Sequence, residues 1–208
     1  MSLTMRLCSS FLIAAMIAVL TFVDVSVERV VETTSSVNRC STIEDASLGL
    51  SNTRVTIAEN IVSSFTPPET FSSRGFTVQD LSFCRVLGTA RSEQNSNIKF
   101  EVWLPHADDW NGRFRGIGSG GSAGAIGYRQ LAAAVAEGYA AVATDNGHTS
   151  TSGFDGSWSL GHPIRLLDFG YRAQHEVTVA GKAITQAYYG RAHEFAYFVG
   201  CSQGGHHA

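Results

Sequence analysis

The sequence predicts an α/β fold built on a mostly parallel sheet, and three observations carry the prediction. Five short β-type runs occur, at 83–90, 98–104, 113–118, 139–144 and 195–199. The later ones alternate with two stretches of helical spacing. The first of these, 126–136, repeats through Tyr128, Leu131 and Val135; the second recurs through Leu166, Phe169, Ala173, Val177, Ala180, Ile184 and Ala187. The last β-type run feeds Gly200-Cys201-Ser202-Gln203-Gly204, a Gly-x-Ser-x-Gly pentapeptide. Strands that alternate with helices are how a parallel sheet is connected. A serine between two glycines at a strand exit is the sequence form of a nucleophile elbow.

The bulk numbers fit one sizeable core. Of 208 residues, 44% are hydrophobic and 16% charged. The net charge of −3 excludes a strongly basic nucleic-acid-binding surface. Glycine gathers in loops, and the sequence has no internal period and no metal-ligand spacing.

Residues 1–25 read as a signal peptide. Arg6 precedes an apolar run at 11–23 that is short for a membrane span; a signal anchor is the alternative. Residues 26–70 read as a leader and an amino-terminal segment, polar at first, then carrying Cys40 and the Pro67-Pro68 breaker, with no firm element assignment. Residues 71–208 form the predicted catalytic domain. It opens with a β-hairpin, 83–90 and 98–104, around the polar turn 92–97; its second strand alternates Phe100, Val102 and Leu104 with Lys99, Glu101 and Trp103. In an oxidising compartment Cys40 and Cys84 are the natural disulfide pair, the alternative being two buried thiols. With Cys8 in the leader, Cys201 is then left over.

The order of elements adds to the pentapeptide. In an α/β-hydrolase the nucleophile follows the fifth strand, and the oxyanion loop follows the third. Here Ser202 follows the fifth β-type run, and the loop Ser119-Gly120-Gly121 follows the third. Ser202 is therefore the candidate nucleophile. The backbone N–H of Gln203 and those of Gly120 and Gly121 are the candidate oxyanion donors. A rival exists: Gly116-Ile-Gly118-Ser-Gly-Gly121 also fits a dinucleotide fingerprint, with Asp145 as the ribose-binding acid at a somewhat long spacing. Of the histidines, only His206 and His207 follow Ser202, and they lie too close behind it to face its hydroxyl. His148 and His162 read as structural hydrogen-bonders, His175 as a polar residue on a packed helix, and Asp145 and Asp155 as residues at a pocket mouth.

Taken together, several stretches resemble the tannase and feruloyl esterase family of secreted serine esterases. They are Phe100-Glu-Val-Trp-Leu-Pro105, Asp109-Trp-Asn-Gly-Arg-Phe114, Gly118-Ser-Gly-Gly-Ser-Ala-Gly124, Ala143-Thr-Asp-Asn-Gly-His148, Ser157-Trp-Ser-Leu-Gly-His-Pro163, Asp168-Phe-Gly-Tyr-Arg-Ala-Gln-His175 and Gly200-Cys-Ser-Gln-Gly-Gly205. The resemblance implies an α/β-hydrolase acting on small aromatic-acid esters of feruloyl or galloyl type. It needs no cofactor, and the calcium of the family's lid would lie beyond residue 208. It also implies that Cys201 pairs with a cysteine beyond that point, beside the catalytic histidine. His206-His207 departs from the family's usual residues. On this expectation the chain is an amino-terminal fragment without the triad Asp and His, without the lid and last strands, and inactive alone. The protein it belongs to is expected to be extracellular, with no nucleic-acid partner and no stable membrane association. The alternatives are a non-catalytic secreted protein derived from an esterase and the dinucleotide-binding oxidoreductase.

Overall fold

The computed structural model describes residues 39–208 apart from positions 45, 71 and 151. The expected signal peptide and most of the leader lie outside the described residues. In chain order the elements are β1 (Thr53–Ile61), β2 (Ser64–Phe65), β3 (Val78–Gln79), β4 (Phe83–Ala90), β5 (Ile98–Pro105), β6 (Arg113–Ile117), α1 (Tyr128–Ala136), β7 (Ala140–Thr144), α2 (Pro163–Leu167), α3 (Ala173–Tyr189), β8 (Phe195–Val199) and α4 (Gln203–His206). A 3-10 turn, Ser157–Ser159, precedes α2, and a π-type turn, Asp168–Arg172, joins α2 to α3.

Six strands form one sheet in the order β1-β4-β5-β7-β6-β8, and β2 and β3 form a small ribbon apart from it. The pairings β1–β4, β4–β5 and β5–β7 are antiparallel, and β7–β6 and β6–β8 are parallel. It follows that β4, β7, β6 and β8 run in one direction and β1 and β5 in the other. This is the mostly parallel, α/β-hydrolase-type sheet that the element order predicts, with one strand more. That strand, β1, lies in the stretch the sequence left unassigned. It pairs with β4 along its length, with a bulge between Val55 and Ile57. The Cys40–Cys84 disulfide ties the preceding segment to β4, closing a separation of 44 residues. A loop of that length corresponds to a stabilisation of roughly 4 kcal/mol in the chain-entropy picture.

Helices pack on both faces of the central strands. On one, α3 lays Val177, Ala180 and Ile184 against Phe100, Val102, Phe114 and Val142. On the other, α1 lays Leu131 and Val135 against Trp103, Ala141 and Ala143. The alternation along β5 therefore does not divide core from solvent: Glu101 and Trp103 are as buried as Phe100 and Val102. Glu101 is accommodated by four donors, namely Arg85 Nε at 2.8 Å, an Arg85 terminal nitrogen at 2.6 Å, Trp103 Nε1 at 2.8 Å and the Tyr128 hydroxyl at 3.0 Å. A buried carboxylate is tolerable only when paired and hydrogen-bonded in this way. The long helix begins at Pro163, with proline in its first turn, widens through the π-type turn, and ends at Gly190 in the left-handed conformation. Leu166 is exposed, so the apolar stripe read from the sequence begins in effect at Phe169.

Candidate functional site

The site lies at the carboxyl ends of β6 and β8, adjacent parallel strands. β8 exits through Gly200 and Cys201 into Ser202, which has φ 56° and ψ −120° and immediately precedes α4. A serine rarely occupies this backbone region. Three glycines allow the turn by close approach. A β-carbon on Gly200 would stand 2.3 Å from the carbonyl of Gly204, and one on Gly204 would stand 2.6 Å from the oxygen of Ser119. A β-carbon on Gly118 would stand 2.6 Å from the Cα of Gly204. The N–H of Gly118 donates to the oxygen of Val199 at 2.9 Å, joining the glycine loop to the elbow strand. The two glycine motifs, far apart in sequence, are thus packed backbone on backbone.

The glycine loop is held from its other side by the segment after β7. Asn146 Nδ2 donates to Ser119 Oγ at 2.7 Å and to the Ala123 oxygen at 3.3 Å. Gln174 Nε2, on α3, donates to Asn146 Oδ1 at 3.0 Å. His148 Nε2 donates to the Ser122 oxygen at 3.0 Å, and the N–H of Ser122 donates to the Gly153 oxygen at 2.6 Å. Asn146 and Gln174 were singled out by no motif. Their only sequence signal is that both fall inside stretches that resemble the tannase and feruloyl esterase family.

A cleft of about 660 Å³ opens between these parts, lined among others by Ser202, Cys201, Gly120, Gly121, Gln130 and Phe154. The structure therefore brings Ser202 and the candidate donors Gly120 and Gly121 to one cleft. It also places Gln203 at the first position of α4, directly after Ser202. Ser202 Oγ makes no hydrogen bond among the described residues. Two histidines sit near these parts, and each spends its Nε2 on a carbonyl, His148 on Ser122 and His207 on Phe169 at 2.9 Å. Burial holds both imidazoles below the ordinary histidine range. His148 is further fixed by stacking on Trp158, with ring centroids 3.6 Å apart. His162, His175 and His206 are exposed, His162 directly before α2 and His175 on α3. Cys201 is an exposed free thiol.

Asp145 has a different place from the one the dinucleotide fingerprint requires. It is buried, and its Oδ1 accepts the N–H groups of Lys99 and Gly147, each at 2.9 Å. A carboxylate so engaged is closed to a ribose. Gly116 is crowded by the Phe198 ring, and Gly118 by the backbone of Gly204, so these two glycines pack against the elbow. Asp155 lies off the cleft and accepts the N–H of Ser157 at 2.9 Å. Among the described residues no group of three or more His, Cys, Asp or Glu side chains is gathered as metal ligands would be.

A mixed sheet with helices on both faces, and with a serine on a strained strand-to-helix turn beside a glycine loop, defines a protein of the α/β-hydrolase type. The chain belongs to the tannase and feruloyl esterase family, whose model, described as "Tannase and feruloyl esterase", matches residues 84–208. It is 40% identical over 163 residues to an uncharacterized esterase of Xanthomonas campestris pv. campestris, covering 77% of this chain and 27% of that protein. It is 36% identical over 155 residues to a protein of Neosartorya fischeri named probable feruloyl esterase B-1, covering 74% and 29%. Among solved structures it superposes on feruloyl esterase B from Aspergillus oryzae with a TM-score of 0.72 at 28% identity, covering 82% of this chain and 33% of that one. The chain thus spans about a third or less of the length of these relatives.

Proposed function

We propose that the protein carrying this sequence is a serine carboxylic ester hydrolase for small phenolic-acid esters, of feruloyl or galloyl type, working through an acyl-enzyme. Ser202 Oγ attacks the ester carbonyl. The N–H of Gln203 and those of Gly120 and Gly121 receive the oxyanion. The alcohol leaves, and water releases the acid. The observation that carries this reading is the backbone of Ser202: φ 56° at the exit of β8, with the Gly118–Gly204 contact holding the glycine loop against it. Strain of this kind persists where surrounding packing enforces it, and it projects the hydroxyl into the cleft. The substrate class rests on the names of the relatives.

A serine hydroxyl needs a base. His148 and His207 donate to carbonyls and are not available to it. The family resemblance puts the triad Asp and His, the partner of Cys201 and the lid with its calcium in the part of the relatives' length that this chain does not span. On that reading the 208-residue polypeptide by itself shows no burst with an aryl ester. The amino-terminal segment and the Cys40–Cys84 bridge support an extracellular location. No described helix is long and apolar enough to cross a membrane.

The test uses the full-length protein. A fluorophosphonate should label Ser202, located by peptide mapping, and Ser202→Ala should abolish hydrolysis of methyl ferulate. Turnover that survives Ser202→Ala would overturn the assignment.

A further inference from the structure

We infer that Asn146, held by Gln174, is the positioning residue that sets the oxyanion loop against Ser202; the inference rests on the serine esterase reading above. Asn146 is completely buried, and its side chain has three partners. Two of them, Ser119 Oγ and the Ala123 oxygen, bracket the segment that carries Gly120 and Gly121. A carbonyl can only accept, so the Ala123 oxygen fixes which end of the amide is Nδ2 and leaves Oδ1 for Gln174. One planar amide therefore fastens both ends of the loop and is itself fastened to a long helix.

The helix is built for this. Gln174 is the second residue of α3, directly after the π-type turn. A π-type turn displaces the helix by a residue and leaves carbonyls without their usual partner, and such turns gather at functional sites. Here the Phe169 oxygen, inside that turn, accepts His207 Nε2 from the elbow side at 2.9 Å, and Gln203 Nε2 lies 3.2 Å from the same His207 nitrogen. The π-type turn thus anchors the end of α4 through His207 and the oxyanion loop through Gln174 and Asn146. The two sets of N–H groups that would share one oxyanion are referred to the same stretch of backbone.

A plain turn residue would be the simpler account, since Asn146 has φ 56° and asparagine tolerates that conformation. The two roles separate by substitution. Glycine adopts φ 56° without strain, so Asn146→Gly keeps the turn and removes the amide. Gln174→Met keeps helix propensity and volume while removing the donor. Hydrogen bonds that place oxyanion donors are worth most in the transition state, where an error near 1 Å costs on the order of 100-fold.

The experiment measures kcat and KM for methyl ferulate in the full-length protein and each variant, with rates taken per Ser202 titrated by fluorophosphonate so that unfolded molecules do not count. It also measures inhibition by an arylboronic acid, whose serine adduct places an anionic oxygen in the oxyanion site. Both variants are expected to lose ~30–100-fold in kcat with KM changed by less than about threefold, and to lose boronate affinity in parallel. The double variant should be little worse than the poorer single one, because the two residues act through one contact. If either single variant keeps kcat within about twofold while Ser202→Ala is inactive, the positioning role is overturned and the esterase assignment stands. If Ser202→Ala remains active, both fall.

Discussion

A β-carbon on Gly118 would lie 2.6 Å from the Cα of Gly204, so the loop after β6 and the helix after Ser202 meet as bare backbone. Neither partner can yield by turning a side chain. Gly118→Ala and Gly204→Ala should therefore cost about 1–3 kcal/mol or more, the range for overpacking, and lower Tm by roughly 3–10 °C. Gly120 is the internal control: nothing stands within 4 Å of a β-carbon there. Thermal unfolding followed by circular dichroism should show Gly120→Ala melting with the parent. Equal melting of all three variants would remove the contact from the account of the elbow.

The strain at Ser202 has its own thermodynamic signature. At φ 56° and ψ −120° a β-carbon is poorly accommodated, whereas glycine is at ease. Ser202→Gly should be more stable than Ser202→Ala by about 1 kcal/mol, even after the larger chain entropy of glycine is deducted. Denaturant titration of the two variants checks this, and Ser202→Ala as the more stable of the pair would contradict it.

The parts of the fold that were legible in the sequence are those where one rule dominates. β4 and β5 have clear β-type runs and a polar turn between them. α3 has a repeating apolar face and Gly190 at its end. β1 was not legible because its bulge between Val55 and Ile57 shifts the register, so no single two-residue period runs through Thr53–Ile61. The alternation along β5 does not tell that Glu101 is buried, because Arg85, Trp103 and Tyr128 converge on it only in the fold. Of the site, the Gly-x-Ser-x-Gly pentapeptide and the glycine loop were readable as motifs. Asn146 and Gln174 were not, because the value of a buried amide lies in partners 27, 23 and 28 residues away.

Asp145 predicts a pH dependence. Burial pushes its carboxyl up to about 7, against the opposing pull of the Gly147 and Lys99 N–H groups. The unfolded chain has the ordinary value of 3.8. Between these values the folded protein holds a proton that the unfolded chain has released, so this group's contribution to stability is complete below about pH 4 and is lost as pH rises to about 7. Asp145→Asn keeps an Oδ1 able to accept both N–H groups and cannot ionise. The variant should match the parent near pH 4 and become increasingly the more stable of the two toward pH 7.5. Urea titrations across this range are the measurement, and parallel stability curves would rule the mechanism out.

The ion pair beneath α1 should be costly to break from one side. The Glu101 side chain is 2% exposed and that of Arg85 8%. Glu101→Gln keeps the shape but turns one acceptor oxygen into a donor that faces other donors, and it leaves the guanidinium with Glu59 alone. A loss of about 3–5 kcal/mol is expected in urea unfolding. A loss below about 1 kcal/mol would mean that water reaches the pair and repairs it.

Among the described residues β8 lies at the edge of the sheet and pairs only with β6. Phe195, Tyr197 and Val199, at every second position and so on one face, are 56%, 46% and 54% exposed. A long apolar edge strand is a template for a second copy to add to. The 208-residue polypeptide, expressed alone, should therefore self-associate at micromolar concentration. Charges on this face should interrupt it. Phe195→Lys replaces one exposed ring with a cation, and Tyr197→Glu replaces another with a carboxylate. Sedimentation velocity should show the doubly substituted polypeptide mainly monomeric under conditions where the parent is not. If both sediment alike, association runs through another surface, and β8 is not its origin.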